Sequence, residues 1–303
     1  MRISSNTAAL NAIYNLQKGQ TTLNRLTELT TSDQNINRPS DDPTATSTLL
    51  NISDALNAIN QYSTNITKAT TSLDATNNAL TGISDTITQA KSLVDSISNG
   101  SDSASDRQSA HDQLVSLKQQ LIDYANTQSG DTYVFGGTSS ATAPFSSTSN
   151  SYSGDSNQSK VEIAENSYQT VNITGDRLLK GSGSNPSYGS TDILKTLDNL
   201  ISAVGDSTTT SDATALQQGA KDLEAGATQI NNAQIDVAAR MKRLDTMSTM
   251  NTNNKTTLEN VVSDIQNVDL TMVGVELSQQ QTAYEAALAA TAKISSLSLL
   301  DYL

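Results

Sequence analysis

A seven-residue spacing of aliphatic side chains runs through the first third of the chain. Every rung of this first ladder is isoleucine, leucine or valine: Ile52, Ile59, Ile66, Leu73, Leu80, Ile87 and Val94. Such spacing places all seven side chains on one stripe of a long helix that packs side by side with other helices. Asp42 is a favourable N-cap and Pro43 suits the first helical position, whereas Asn99-Gly100 favours the end of the helix.

The length of this helix constrains the shape of the molecule. A helix from Pro43 to Ser98 extends about 80 Å at the usual helical rise. A compact globule of this chain length has a diameter of roughly 50 Å. The sequence therefore predicts an elongated rod.

A second ladder runs through the last third of the chain, and its rungs are Leu216, Leu223, Ile230, Val237 and Leu244. The spacing continues through a polar Asn251 to Leu258, Ile265 and Met272. Asn251 has two interpretations: a polar residue that sets helix register, or a joint between two stacked helical bundles. We favour the joint.

Shorter elements lie between the ladders. Helical patterns cover roughly Ser105 to Gln128 and Asp192 to Val204. Short alternating runs, such as 161–163 and 168–173, are separated by glycine turns and predict β-strands. The sequence thus predicts a small β-rich insertion that folds alone only marginally.

The outermost segments carry thin apolar stripes. Burying each stripe would contribute on the order of 10–20 kcal/mol gross, but an isolated helix does not gain this energy. We therefore predict that both terminal segments form an assembly interface with partner molecules. The predicted interface residues are Leu10, Ile13, Leu16, Leu23, Leu26, Leu29, Met272, Val275, Tyr284, Leu288, Ile294, Leu297 and Leu300.

The charge balance restricts the partners of the chain. The formal net charge is −13, which disfavours nucleic acid and anionic membrane as ligands. We find no apolar secretory signal and no stretch long enough to span a membrane. Cysteine is absent, so neither disulfides nor thiol chemistry is expected.

Residues for catalysis are scarce. The single histidine, His111, lies in a polar stretch and is interpreted as a solvated helix residue. One histidine without cysteine makes a zinc cluster or a nucleophilic site hard to assemble, so we expect no catalytic, cofactor or metal site. Arg240, Met241, Lys242 and Arg243 form a basic patch on a helix, and we expect it to pair with acidic neighbours.

Several motifs resemble the flagellin superfamily, and within it the hook-associated protein 3 family. They are residues 1–6, residues 131–138 with Pro144-Phe145, residues 297–303, and the run Arg38, Pro39, Ser40, Asp41, Asp42 and Pro43. The run Thr31-Ser-Asp-Gln-Asn35 departs from the family, which often has a glycine and two positive charges there. The resemblance covers both helical ends, about two thirds of the chain.

The resemblance implies a structural subunit of the bacterial flagellum, exported through the type III apparatus to the outside of the cell. Its implied partners are hook-associated protein 1, filament flagellin, copies of itself in one ring layer, and a cytoplasmic export chaperone on the C-terminal arm. No nucleic acid, membrane insertion or cofactor is implied. The expected fold is mainly α, a flagellin-like rod of long helices with an inserted β-rich domain.

We predict three domains: a terminal arm of residues 1–42 and 262–303, a helical rod of 43–130 and 211–261, and an insertion of 131–210. The predicted function is to join hook to filament by coupled folding and polymerisation. Two alternatives stay open. One is a filament flagellin, and a more remote one is a secreted enzyme with its activity in the insertion.

Overall fold

The structure, a computed structural model, describes residues 2–98, 103–146, 149–182, 188–205 and 211–300, without the side chains of 2–6, 8, 9 and 294–300. Long helices dominate these residues, and the strands are few and short. The elements are α1 (Arg2–Ser32), α2 (Pro43–Ile97), α3 (Ala104–Ala125), β1 (Gln128–Ser129), β2 (Thr132–Tyr133), β3 (Lys160–Ala164), β4 (Ser167–Thr170), α4 (Gly175–Leu179), α5 (Ile193–Val204), α6 (Ala213–Gln266) and α7 (Leu270–Leu300). The predicted mainly α fold class is confirmed. Asn99-Gly100, the predicted end of α2, and residues 301–303 lie outside the described part.

The chain divides into two compact units. The first combines residues 1–58 with 253–303, and the second comprises residues 59–252. These limits differ from the three domains expected from the sequence, so that division stays a prediction, as does the rod shape.

In the second unit, the two ladders line one continuous apolar core. Leu73, Leu80 and Ile87 of α2 are buried in the same cluster as Leu223 and Ile230 of α6. Helix α3 starts at a capping box between Ser103 and Asp106, and helix α5 starts where Asp192 accepts a hydrogen bond from the amide of Lys195. Local capping therefore positions the two shorter helices that cover the long pair.

Small residues let large ones fit into this core, which has few aromatic side chains. A Cβ on Gly219 of α6 would lie 2.3 Å from Leu200 Cδ2 of α5, and one on Gly82 of α2 would lie 2.5 Å from the ring of Tyr124 of α3. At these two positions the helices approach so closely that only the hydrogen atom of glycine fits between the backbone and the neighbouring side chain.

The core of α2 also contains threonines. Thr76 and Thr86 are both buried, and their hydroxyls donate to the carbonyls of Ser72 and Gly82 at 2.8 and 2.7 Å. Each hydroxyl is therefore satisfied by its own helix, and the methyl group is left to pack.

The described residues form two separate antiparallel hairpins, β1–β2 at the start of the insertion and β3–β4 within it. The second lies where the sequence predicted strands, and Asn166 forms its turn with a φ of 56°. The β content of the described residues is small, however, and irregular chain links the hairpins. Phe135, Phe145 and Ile163 are buried in the same cluster as the ladder residues, so the described insertion shares the core of the helices.

Asn251 does not interrupt α6, which is continuous from Ala213 to Gln266. Its side chain is buried, and its amide donates to the carbonyl of Ile163 at 3.1 Å. The second ladder ends within α6, because Met272 belongs to the next helix and is exposed. The hydrogen bond to β3 was not among the interpretations made from the sequence.

In the first unit, α1 and α7 pack antiparallel. Gly19 lies beside Tyr284, whereas Leu26 and Leu29 pack on Val273. The adjoining corner is closed by the amide of Asn35, which donates to the carbonyl of Gln266 at 2.7 Å. Among the described residues, none of the helices has the length and apolar character needed to cross a membrane.

Candidate assembly surface of the terminal helices

The seam between α1 and α7 is narrow. On α7 it follows Val273, Leu277, Gln280 and Tyr284, positions three or four apart that share one helix face. The Gln280 amide donates to the carbonyl of Gly19 at 3.3 Å. The seam therefore combines a small apolar cluster with one polar contact.

Gly19 controls how closely the two helices approach. A Cβ at this position would lie 3.3 Å from Tyr284 Cδ2 and 3.5 Å from Gln280 Nε2. Because only the first distance is tighter than an ordinary van der Waals contact, an alanine here would require the tyrosine ring to shift by a few tenths of an ångström.

Burial along α1 falls toward the start of the chain. Leu26 and Leu29 are 7% and 9% exposed, Leu16 and Leu23 are half-buried, and Leu10 is 60% exposed. Ile13 is also exposed, at 49%. The inner turns of α1 therefore have a partner within the chain, and the outer turns keep apolar side chains in solvent.

Helix α7 keeps several apolar side chains in solvent. Val273 is buried against α1, whereas Met272, Val275 and Leu288 are 61%, 54% and 45% exposed. Tyr284 is half-buried. Met272 and Val275 share a face that points away from the seam, whereas Leu288, four residues after Tyr284, continues the seam row toward the end of the helix.

The predicted interface residues thus separate into two groups. Leu26 and Leu29 are buried within the chain, whereas the other predicted residues that the structure describes are half-buried or exposed. The side chains of Ile294, Leu297 and Leu300 lie outside the described residues. The sequence prediction missed Tyr14, which is 66% exposed, although its four-residue offset from Leu10 is a visible signal.

Exposed apolar side chains on one face of a helix can be buried by a partner molecule. Leu10, Ile13 and Tyr14 lie within about one turn of α1, so they form one continuous patch. Burying a large apolar side chain contributes about 1.5–3 kcal/mol. A partner that covered this patch would gain a substantial part of its binding energy there.

The Arg38 to Pro43 run forms the corner between α1 and α2. Asp41 accepts hydrogen bonds from the amides of Asn37 and Arg38, at 3.2 and 2.9 Å. Asp42 caps α2 by accepting from the amides of Thr44 and Ala45, at 3.0 and 2.9 Å.

The remaining side chains of this corner are exposed, Pro39 and Ser40 among them. Arg38 pairs with Glu28 at 2.9 Å, but both side chains are solvent-accessible, so the pair contributes only about 0.2–1 kcal/mol. The motif is a turn that directs the chain from one helix into the next.

Every named rung of both ladders is buried. In the basic patch, Arg240 and Lys242 pair with Asp236 and Asp245 of the same helix, as predicted. Arg243 instead donates to Gln169 in β4 at 3.1 Å. The ladder residues from Ile66 to Val94 and from Leu216 to Leu244, together with the patch, therefore serve the second unit internally.

Groups for catalysis or metal binding do not converge in the described part. His111 lies on α3 beside Asp112, with 3.2 Å between Nδ1 and Oδ1. No set of three histidine, aspartate or glutamate side chains there is arranged to hold a metal ion.

Two family descriptions match the chain. The bacterial flagellin N-terminal helical region matches residues 3–139, and the bacterial flagellin C-terminal helical region matches residues 192–303. The chain therefore belongs to the flagellin superfamily. Within it, the chain is similar to flagellar hook-associated protein 3 of Escherichia coli K12, with 25% identity over 276 residues, 87% of each chain.

Solved structures show the same fold. A protein assigned to the flagellar hook-associated proteins of Vibrio parahaemolyticus superposes with a TM-score of 0.66 and 24% identity, over 75% of this chain and 100% of its own. Flagellar hook-associated protein 3 of Legionella pneumophila gives 0.62 and 18%, over 71% of this chain and 98% of its own. Membership of the flagellin superfamily and the similarity to hook-associated protein 3 support a structural role in the flagellum.

Proposed function

We propose that this chain is a hook–filament junction subunit, which joins the hook to the filament through its terminal helices. The similarity to hook-associated protein 3 spans 87% of both chains, which supports the junction role over other flagellar roles. The apolar residues that α1 and α7 expose supply the surface for assembly. The observation that carries the proposal is the exposure of Leu10, Ile13, Met272 and Val275.

Assembly proceeds by coupled folding and polymerisation. The inner turns of α1 and α7 already bury Leu26, Leu29 and Val273 against each other. The outer turns gain comparable burial only from neighbouring molecules, and that burial offsets the entropy lost when they become ordered.

The partners follow from this role. Copies of the chain form one ring layer, with hook-associated protein 1 on the hook side and filament flagellin on the other. Before export, a cytoplasmic chaperone covers the C-terminal arm. The subunit acts outside the cell as a structural component, without catalytic activity.

The test changes one exposed apolar residue of α1. Leu10→Asp should leave the helix content of the isolated subunit nearly unchanged, because the side chain is exposed. In cells that carry this variant alone, we expect hooks without filaments in electron micrographs, and filament protein in the medium. Asn11→Asp adds the same charge at an exposed polar neighbour and should retain filaments.

Three outcomes count against the proposal. Filaments on Leu10→Asp cells would show that the exposed stripe is dispensable. Loss of filaments in both variants would show an effect of charge alone. Self-assembly of the purified wild-type chain into long filaments, without any partner, would favour a filament flagellin.

A further inference from the structure

Three polar side chains interrupt the buried face of α6 at a constant interval. Gln229, Arg240 and Asn251 are 0%, 8% and 3% exposed, and each follows the previous one by eleven residues. Eleven residues complete three helical turns with a remainder of about 20°, so the three side chains form one stripe parallel to the axis. We call these residues the polar stripe.

Each member of the polar stripe binds the backbone of the insertion. Gln229 Nε2 donates to the carbonyls of Leu178 and Thr191, at 2.7 and 3.0 Å. Arg240 Nη1 donates to the carbonyl of Asn172 at 2.8 Å. Together with the Asn251 bond to Ile163, these contacts hold residues 163–182 and 188–191 along about 33 Å of α6.

The order of the contacts defines a direction. As α6 proceeds from Gln229 to Asn251, the bound carbonyls proceed from Leu178 back to Ile163. The order of these three carbonyls is therefore opposite to the direction of α6, and Gln229 also binds Thr191 further along the insertion.

Gln229 and Arg240 of the polar stripe form further hydrogen bonds. Gln229 Oε1 also accepts from the Thr191 amide at 3.1 Å, and Gly189 lies so close that a Cβ there would be 2.2 Å from that oxygen. Arg240 forms two further bonds to Asp236, at 3.2 and 2.6 Å, and Asp236 accepts from the Tyr188 hydroxyl at 2.6 Å. The buried arginine charge is thus neutralised locally.

Apolar packing and polar pairing differ in how strictly they fix position. A rung such as Val237 can pack against several neighbours at a similar free energy, because apolar contact has no direction. A buried amide or guanidinium donor needs an acceptor at one place, and losing that acceptor costs the desolvation of the donor.

We propose that the polar stripe fixes the axial register of residues 160–182 and 188–191 on α6, with each of its three residues holding the part of this segment whose carbonyl it binds. Gln229, Arg240 and Asn251 are positioning residues in this sense. The inference is independent of the junction role, because it concerns only contacts within the second unit.

The test is hydrogen exchange of the full chain, read by mass spectrometry for separate peptides. Asn251→Leu removes the donor to Ile163, so it should raise amide exchange in residues 160–170 by about 10- to 100-fold, the range expected for one lost buried hydrogen bond. Gln229→Leu should do the same in residues 175–182 and 188–191 and leave 160–170 nearly unchanged.

The control is Val237→Ala, which removes apolar volume from the same helix without touching a carbonyl of the insertion. It should raise exchange across α2, α3 and α6 alike. Uniform loosening of the chain by Asn251→Leu or Gln229→Leu, or loosening of the same segment by both, would overturn the proposal. If a leucine variant does not fold, Asn251→Ala and Gln229→Ala give the same comparison.

Discussion

Left-handed backbone conformations at asparagine and aspartate show how single residues shape this chain. In the described part, Asp33, Asn150 and Asn166 have φ values of 55°, 50° and 56°. Aspartate and asparagine tolerate this region better than other side chains, but glycine adopts it without steric cost. Asp33 ends α1, with its amide bound to the carbonyl of Leu29 at 3.1 Å. It lies in the run where the family often has a glycine.

Asp33→Gly should therefore stabilise the chain by about 0.5–1 kcal/mol, because it removes the strain of a left-handed residue at a helix end. Urea unfolding followed by circular dichroism measures the change. Ser40→Gly is the control: Ser40 is an exposed residue with ordinary backbone geometry, so glycine there should only destabilise. Equal effects of the two substitutions would refute the explanation.

Tyr188, which is buried, and Tyr152, which is partly buried, predict loss of stability at alkaline pH. Burial raises the pKa of Tyr188, and its hydrogen bond to Asp236 adds to the shift. Burial likewise raises the pKa of Tyr152. In the unfolded chain both phenols ionise near their ordinary pKa of about 10. The folded state therefore holds these protons more tightly, and its stability is complete below that pH and falls above it.

When phenolate absorbance is followed above pH 10, some tyrosines should thus ionise only at the pH at which the protein unfolds. Tyr188→Phe removes one of these ionisations and should make unfolding less steep with pH. If all phenols ionised near the ordinary pKa while circular dichroism stayed native, the burial of Tyr152 and Tyr188 would be contradicted.

At the scale of elements, local signals were sufficient for the helices. Asp42 and Pro43 predicted the start of α2, which begins at Pro43 and ends at Ile97, one residue before the predicted end. Helix α5 spans Ile193–Val204, one residue after its predicted start at Asp192 and with the predicted end. These limits depend on capping and periodicity, which are properties of adjacent residues.

The insertion and the polar stripe depend on contacts between distant residues, so the sequence could not predict them. Arg240 was expected to pair with an acidic neighbour, and it does, but its bond to the carbonyl of Asn172 has no sequence signal. Because every residue has a backbone carbonyl, the sequence does not show which carbonyl accepts the bond. Only the eleven-residue spacing of Gln229, Arg240 and Asn251 was visible in advance.

Ile66→Asp should unfold the second unit. The side chain is 5% exposed in the α2 ladder, and burying an unpaired carboxylate there costs about 3 kcal/mol or more. The neighbouring Thr67 is exposed, so Thr67→Asp should change stability by no more than about 0.5 kcal/mol. Thermal unfolding of the two variants gives the comparison, and similar melting temperatures would contradict the burial of the ladder.

At the scale of the whole molecule, burial is not uniform along the terminal helices. The sequence predicted that both ends wait for partners along their full length. The structure shows that the inner turns already have one, because Leu26 and Leu29 pack against Val273. The outer turns expose Leu10 and Ile13 instead.

Hydrogen exchange of the isolated subunit should therefore show a gradient. We expect protection in α1 to increase from Leu10 toward Ser32, and protection in α7 to decrease from Val273 toward Lys293, because the apolar contacts are concentrated at the inner turns. Assembled subunits should lose the gradient. Uniform protection of both helices in the dilute monomer would contradict a surface that awaits partners.

The threonines of α2 have a consequence for sequence divergence. Thr76 and Thr86 bond to their own helix, so no neighbour has to supply a matching polar group. A valine of nearly equal volume would lose only an internal bond, and the facing residues could change independently. Substitutions can therefore accumulate at such positions one at a time, without a compensating change elsewhere. This tolerance is one physical reason why chains that share only 18% to 24% of their residues keep this architecture.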